Sequence, residues 1–212
     1  MSSTTGNTLG NPYLERVYAA TCPEESQRAY NEWASTYDSD MIEQGYIAPA
    51  ICAQAIAQHG NIEGLILDAG CGSGSVGLEL AKHGARSIDG LDYSPGMLQV
   101  AQKTGVYSKL ETGDLSKELE IKNGTYDAVV CVGTLTQGHV GPVPALKEFV
   151  RIVKAGGVVV ATVLETIWEK DGYETEIERL INEGQVKLIS KEVQAYRKHA
   201  GVGGRVLILK KL

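Results

Sequence analysis

Apolar and polar positions alternate along this chain in blocks, and the blocks read as strands and helices in turn. Leu65-Ile66-Leu67-Asp68 is an apolar run that ends in an acid, followed by glycine at positions 70, 72 and 74. An unbroken apolar run fits a strand covered on both faces. Ser75 to Lys82 then reads as a helix. Ser87–Asp92 is a second strand ending in an acid, and Ser94-Pro95 caps a helix that stops at Gly105. Further strands are expected at about 108–112, at 126–132 after the Asn123-Gly124 turn, and at 158–164. Pro142 and Pro144 open a helix that ends at Gly156-Gly157, and Glu174 to Asn182 gives another. Residues 186–196 and 206–210 read as an antiparallel pair. At the front, Thr21-Cys22-Pro23-Glu24 predicts a capping-box start for a helix running to about Tyr37. Tyr30, Trp33 and Tyr37 then share one face of it. An alanine-rich helix is expected from about Ile47 to Gln58.

This alternation predicts an α/β fold, a doubly wound, mostly parallel sheet of seven strands. The chain reads as one domain, with residues 21–60 as a helical lid and 61–212 as the core. Residues 1–20 are expected to be a disordered tail, because Met1 to Asn11 is polar and rich in Gly, Ser and Thr.

The glycines after the first strand let backbone approach a ligand closely, and the helix behind them offers free N–H groups to the same turn. Gly72-Ser73-Gly74-Ser75-Val76-Gly77 also matches the dinucleotide fingerprint G-x-G-x-x-G. Three acids favour S-adenosylmethionine over a dinucleotide. Asp68 precedes the glycines, where a carboxylate repels a pyrophosphate but holds a methionine ammonium directly or through water. Asp92 ends the second strand, where an acid binds both ribose hydroxyls. Asp114, in Gly113-Asp114-Leu115, can accept from an adenine amino group. A dinucleotide site needs only the second of these.

Together these segments resemble the class I S-adenosylmethionine-dependent methyltransferases over nearly the whole chain after about residue 20. Leu65–Gly74 is similar to the family's first motif, Gly90–Met97 to its second and Gly113–Leu115 to its third. Tyr126–Cys131 looks like the fourth strand and Leu146–Gly157 like the lead-in to the fifth. Tyr30-Asn31-Glu32-Trp33-Ala34-Ser35-Thr36-Tyr37-Asp38-Ser39-Asp40 is similar to the lid segment of the methyltransferase-like group named after the Williams–Beuren region. Where that group has an acid after the first tyrosine, this chain has Asn31. The resemblance implies the Rossmann-like methyltransferase fold and S-adenosylmethionine as cofactor. It implies cofactor contacts from Asp68, Ala69, Gly70, Cys71, Gly72, Gly74, Asp92, Tyr93, Met97, Gly113, Asp114, Leu115, Cys131 and Val132. Tyr30, Trp33 and Tyr37 are expected to cover the cofactor, a tyrosine hydroxyl reaching the methionine carboxylate. The segment Gly133–Gly141 faces the methyl group by the same resemblance. There His139 titrates near neutrality and is the expected base or substrate anchor, beside Thr134 and Gln137.

Composition narrows the partners. The 212 residues are 43% apolar with a formal charge of −6, and the pI is about 5.3. An acidic chain without a basic run is a poor non-specific binder of nucleic acid. No apolar stretch reaches the ~20 residues that span a bilayer, and no signal-peptide pattern opens the chain. Cys22, Cys52, Cys71 and Cys131 form no C-x-x-C pair, so reduced thiols, no metal and a cytoplasmic location are expected. The Gly133–Gly141 segment lacks an Asn/Asp-Pro-Pro-Tyr motif and paired glutamates. That leaves O-, S-, C- or aliphatic N-methylation of a small molecule by a monomer or homodimer. Two alternatives share the fold: a cyclase or isomerase that keeps the cofactor, and a catalytic subunit that modifies protein or RNA.

Overall fold

The computed structural model describes residues 7–212. Four helices come first: α1 (Pro12–Ala19), α2 (Pro23–Trp33), α3 (Tyr37–Glu43) and α4 (Ala48–His59). Strands and helices then alternate through β1 (Leu65–Ala69), α5 (Ser75–Lys82), β2 (Ser87–Asp92), α6 (Pro95–Thr104) and β3 (Lys109–Thr112). β4 (Tyr126–Leu135), α7 (Ala145–Ile152), β5 (Val153–Leu164), α8 (Tyr173–Asn182), β6 (Val186–Arg197) and β7 (Val202–Lys211) follow. The strands form one sheet in the order β3-β2-β1-β4-β5-β7-β6. β1 to β5 are parallel; β7 lies antiparallel between β5 and β6. Ile66, Val129, Val130 and Val160 are buried in the sheet's core, as their unbroken apolar runs require. The strand order turns outward at β1 and β4, so the chain leaves their carboxyl ends in opposite directions and a crevice opens there.

The front of the chain differs from the expected tail and single helix. Residues 1–6 lie outside the described residues, but 12–19 form α1, not a tail. Asn11 caps it, accepting from the N–H of Tyr13 and Leu14, and Leu14 and Val17 are buried. Tyr13, Leu14, Val17 and Tyr18 share one helical face, a signal that the polar residues before them mask. The helix that follows ends at Trp33, and a turn delivers Tyr37 to the start of α3. At its start Cys22 stands at the N-cap position, and Glu25, not Glu24, reaches back to accept from the Thr21 N–H and hydroxyl. The break lets Asp40 fold back to accept from the Trp33 indole N–H at 2.6 Å. Leu14, Val17, Ala29, Trp33 and Met41 thereby make a small core of their own, ringed by tyrosines.

This helical layer is tied to the sheet on two sides by different chemistry. On one side backbone bonds run between the Gln44–Ile47 turn and the β6–β7 hairpin, from Ile47 to Tyr196 and from Lys198 and His199 back to Gly45 and Gln44. Buried Arg197 reinforces them by donating to Gln44 and to the Tyr18 hydroxyl. On the other side the seam is made of side chains. Gln27 donates to the Tyr93 carbonyl, Ser73 to Asp38, and Tyr30 meets His139. Asn31 Oδ1 accepts from the Ser94 hydroxyl and from the Gly96 N–H at the start of α6. A neutral amide oxygen suffices there, which accounts for Asn31 in place of an acid. Asn31→Ala is expected to lower stability by about 1 kcal/mol, the worth of an ordinary hydrogen-bond contact, measured by urea unfolding. Asn31→Asp is expected to keep it, since a carboxylate suits a helix N-terminus.

Two strand boundaries also move. β4 continues past Val132 through an irregularity between Cys131 and Leu135. Gly133 sits there with φ 84°, and a Cβ on it would meet the Tyr46 hydroxyl at 2.7 Å. β5 begins at Val153, so α7 stops four residues before Gly156 and that glycine lies inside the strand.

Candidate functional site

A cleft opens at the carboxyl ends of β1, β2 and β4, under α2 and α3. The floor is the turn after β1. Gly70 has φ 79° and Gly72 has φ 52°, and a Cβ on Gly70 would lie 2.0 Å from Thr134 Oγ1. Gly70 is required by space and by its positive φ, and Gly72 is favoured by its positive φ alone; the two present backbone to the cleft.

Asp92 supplies the fixed charge. One carboxylate oxygen accepts from the Gly72 N–H and the other from the Ser94 N–H, both at 2.8 Å. The remaining lone pairs are free to face the cleft, which Asp92 lines. Burial raises its pKa, against the lowering effect of those N–H groups. Tyr93, Met97, Gly113, Asp114, Leu115 and Val132 line the cleft around it. Asp114 is less free than expected, because Ser116 and Lys117 occupy its carboxylate. Burial pushes its pKa up, but those hydrogen bonds outweigh it and leave the group below the usual range.

Among the described residues, Tyr30, Tyr37, Gly133, Thr134, Gly138, His139 and Val140 line the opposite end, none of them a carboxylate or a fixed cation. Tyr30 Oη lies 2.9 Å from His139 Nε2, and His139 Nδ1 lies 2.8 Å from the Gln137 carbonyl. A carbonyl only accepts, so Nδ1 carries the proton and Nε2 is the acceptor for the Tyr30 hydroxyl. Burial lowers the His139 pKa and raises that of Tyr30 well above its ordinary value. Both are neutral at pH 7.

Several expected contacts do not line the cleft. Trp33 is inside the helical core, its indole spent on Asp40. Ala69 and Cys131 are buried in the sheet, and Cys71 is buried behind the turn. Gly74 serves as the N-cap of α5. Gln137 contributes its carbonyl to His139 and no side chain to the wall. Asp68 lies beneath the turn, fully buried, with Oδ2 accepting from the Tyr107 hydroxyl. Tyr107 packs where Gly74, Gly77 and Gly90 lack side chains. The glycines foretold a close approach; its partner, fifteen or more residues away from each in the fold's third loop, carried no sequence signal. Pro23, Ser26, Gln27, Ser94, Ser116 and Val140 also line the cleft and were not legible as site residues.

Burial pushes the Asp68 carboxyl up to about 7, the Tyr107 hydroxyl opposing it. A raised folded-state pKa gives stability that is complete below the unfolded value of about 3.9. That stability is lost as pH rises through the folded value. Asp68→Asn keeps an acceptor for Tyr107 and cannot ionise. Between pH 4 and 8 its unfolding midpoint is expected to fall less than that of the wild type, leaving the variant more stable at pH 8. Parallel curves in thermal melts across that range would remove Asp68 as the cause.

Residues 66–157 match the family model of a methyltransferase domain. Methyltransferase-like protein 27 of Homo sapiens is 36% identical over 182 residues, covering 80% of this chain and 72% of that protein. The chain belongs to the class I S-adenosylmethionine-dependent methyltransferases. Among other relatives of this methyltransferase, an uncharacterized methyltransferase of Emericella nidulans is 27% identical over 192 residues. That match covers 74% of this chain and 65% of the fungal one. A crystal structure of a candidate S-adenosyl-L-methionine-dependent methyltransferase from Methanococcus maripaludis shares the fold at TM-score 0.59 and 20% identity. It covers 89% of this chain and 93% of that one.

Proposed function

We propose that this methyltransferase modifies a small-molecule acceptor held at the neutral end of the cleft. The observation that carries the reading is the polarity of the cleft. One end carries the carboxylates of Asp92 and Asp114, and the other is lined by neutral groups, among them the His139 imidazole bonded to Tyr30. Asp92 would hold the ribose hydroxyls, and the Gly70–Gly72 turn would receive the methionine portion. Met97, Asp114 and Leu115 would border the adenine. When bound, S-adenosylmethionine supplies a methyl group already activated on a sulfonium. The chain's own work is then to bind, orient and exclude water. Close placement of two reactants can account for roughly 7–11 kcal/mol of a barrier in favourable cases. The side-chain seam of α2 and α3 suits entry and exit, since polar groups released from one another rehydrate at little cost.

Two measurements test the reading. Labelled cofactor incubated with fractionated metabolites should yield S-adenosylhomocysteine together with a labelled small molecule. Label appearing only in protein or RNA would overturn the small-molecule acceptor. Hydrogen exchange over residues 24–40 should slow when S-adenosylhomocysteine binds, because a ligand bridging helices and turn suppresses opening. Equal exchange with and without ligand would reduce α2 and α3 to fixed packing.

A further inference from the structure

The contact between Tyr30 and His139 joins the helical layer to the segment after β4 at the neutral end of the cleft. It leaves His139 without a free basic nitrogen. Nδ1–H is spent on the Gln137 carbonyl, and the Nε2 lone pair receives the Tyr30 hydroxyl. An acceptor can therefore reach the imidazole only by way of the tyrosine oxygen, which still has a lone pair to offer.

We propose that Tyr30 is the catalytic group that touches the acceptor and that His139 is its positioning and proton-accepting partner, the acceptor being a phenol. The inference rests on the methyltransferase reading above. The carbon–oxygen bond to the acceptor forms as the methyl–sulfur bond breaks. The acceptor's proton moves to Tyr30 Oη while Tyr30's own proton moves to His139 Nε2. The positive charge lost from the sulfonium reappears on the imidazolium, which returns its proton to water when the cleft opens.

Three features select the phenol. A protonated amine needs an anion beside it and an anionic acceptor needs a cation, and this end of the cleft offers neither among its lining residues. A thiol ionises readily and needs no relay. An alkyl alcohol is too weak an acid for an imidazole whose basicity burial has reduced. A phenol is acidic enough to give up its proton as the new bond forms, and the rings of Tyr30 and Tyr37, tilted at 6.3 Å, offer it an aromatic wall. Tyr30 itself resists ionisation, so it passes a proton without storing charge. Besides His139, the titratable groups acting on it are Tyr37, Tyr18, Tyr196 and Asp92; only Asp92 is a carboxylic acid, and it stands at the other end of the cleft.

The first test needs no acceptor. Nitrogen NMR of the full chain with labelled histidine, His139 assigned by loss of its signals in His139→Gln, should show Nδ1 protonated and Nε2 unprotonated and hydrogen-bonded at pH 7. Tyr30→Phe should shift Nε2 toward its unbonded value and leave the other histidines unmoved. A proton on Nε2, or no shift in the variant, overturns the pair. The second test is formation of S-adenosylhomocysteine at pH 8 from 4-methylphenol, 4-nitrophenol, a thiophenol and a benzylamine. With 4-methylphenol, Tyr30→Phe and His139→Gln should each lower the rate by about 10²-fold, and with the already ionised 4-nitrophenol by no more than about threefold. Equal losses on both phenols overturn the relay. Turnover of the thiol or amine but of neither phenol overturns the acceptor class, as does silence on all four from a protein that binds cofactor. Calorimetry separates the two readings. Both variants should bind S-adenosylhomocysteine within about threefold of wild type, a difference under about 0.7 kcal/mol. A tenfold loss in Tyr30→Phe makes Tyr30 a cofactor ligand and ends the proposal. Failure of the wild type to bind at all fails the underlying reading, while the nitrogen spectra still decide the pair.

Discussion

Asp92→Ala is expected to weaken binding of S-adenosylhomocysteine by about 10²-fold or more, near 2.7 kcal/mol. Two losses combine. Hydrogen bonds from ligand hydroxyls to a carboxylate are roughly twice as strong as neutral ones. The same carboxylate also holds the Gly72 and Ser94 N–H groups, so its removal loosens the turn that the ligand rests on. Asp92→Asn is expected to fall between, because one of its two terminal atoms must then face an N–H as a donor. Titration calorimetry reads the affinity, and circular dichroism confirms that the sheet is intact. Unchanged affinity in the alanine variant would remove Asp92 from the site.

The largest stability effect is expected at Trp33, and it follows from where the structure puts that ring. Trp33 stacks on Tyr13 at 5.5 Å and on Tyr30 at 5.9 Å, and meets Tyr37 edge-on at 4.7 Å. Trp33→Ala should cost about 3–5 kcal/mol, the usual range for emptying a core site of an aromatic ring. Exchange protection should collapse over residues 12–43 and persist in β1, β4 and β5, since the helical core is separate from that of the sheet. Trp33→Phe keeps most of the ring and loses the bond to Asp40, so its cost should be about 1–2 kcal/mol. A variant with wild-type stability and lowered cofactor affinity would return Trp33 to the cleft.

Sequence by itself determined the sheet and the turn that floors the cleft. An unbroken apolar run ending in Asp68, a second strand ending in Asp92, glycines at alternate positions, and Ser94-Pro95 before a helix are local signals. Each states a backbone requirement that no distant residue can alter. Tertiary structure decided which side chains face the cleft. Tyr30, Trp33 and Tyr37 have helical spacing, yet the turn after Trp33 sends its ring into the helical core and leaves the two tyrosines on the wall. The acid of the first motif came to rest beneath the turn because Tyr107 fills the space left by three glycines. His139 was legible as a titrating group, but its tautomer and its bond to Tyr30 were not, since a hydrogen bond between residues 109 positions apart leaves no periodic trace. Local pattern records what the backbone must do; the partners of a polar side chain are set only when distant segments are packed against one another.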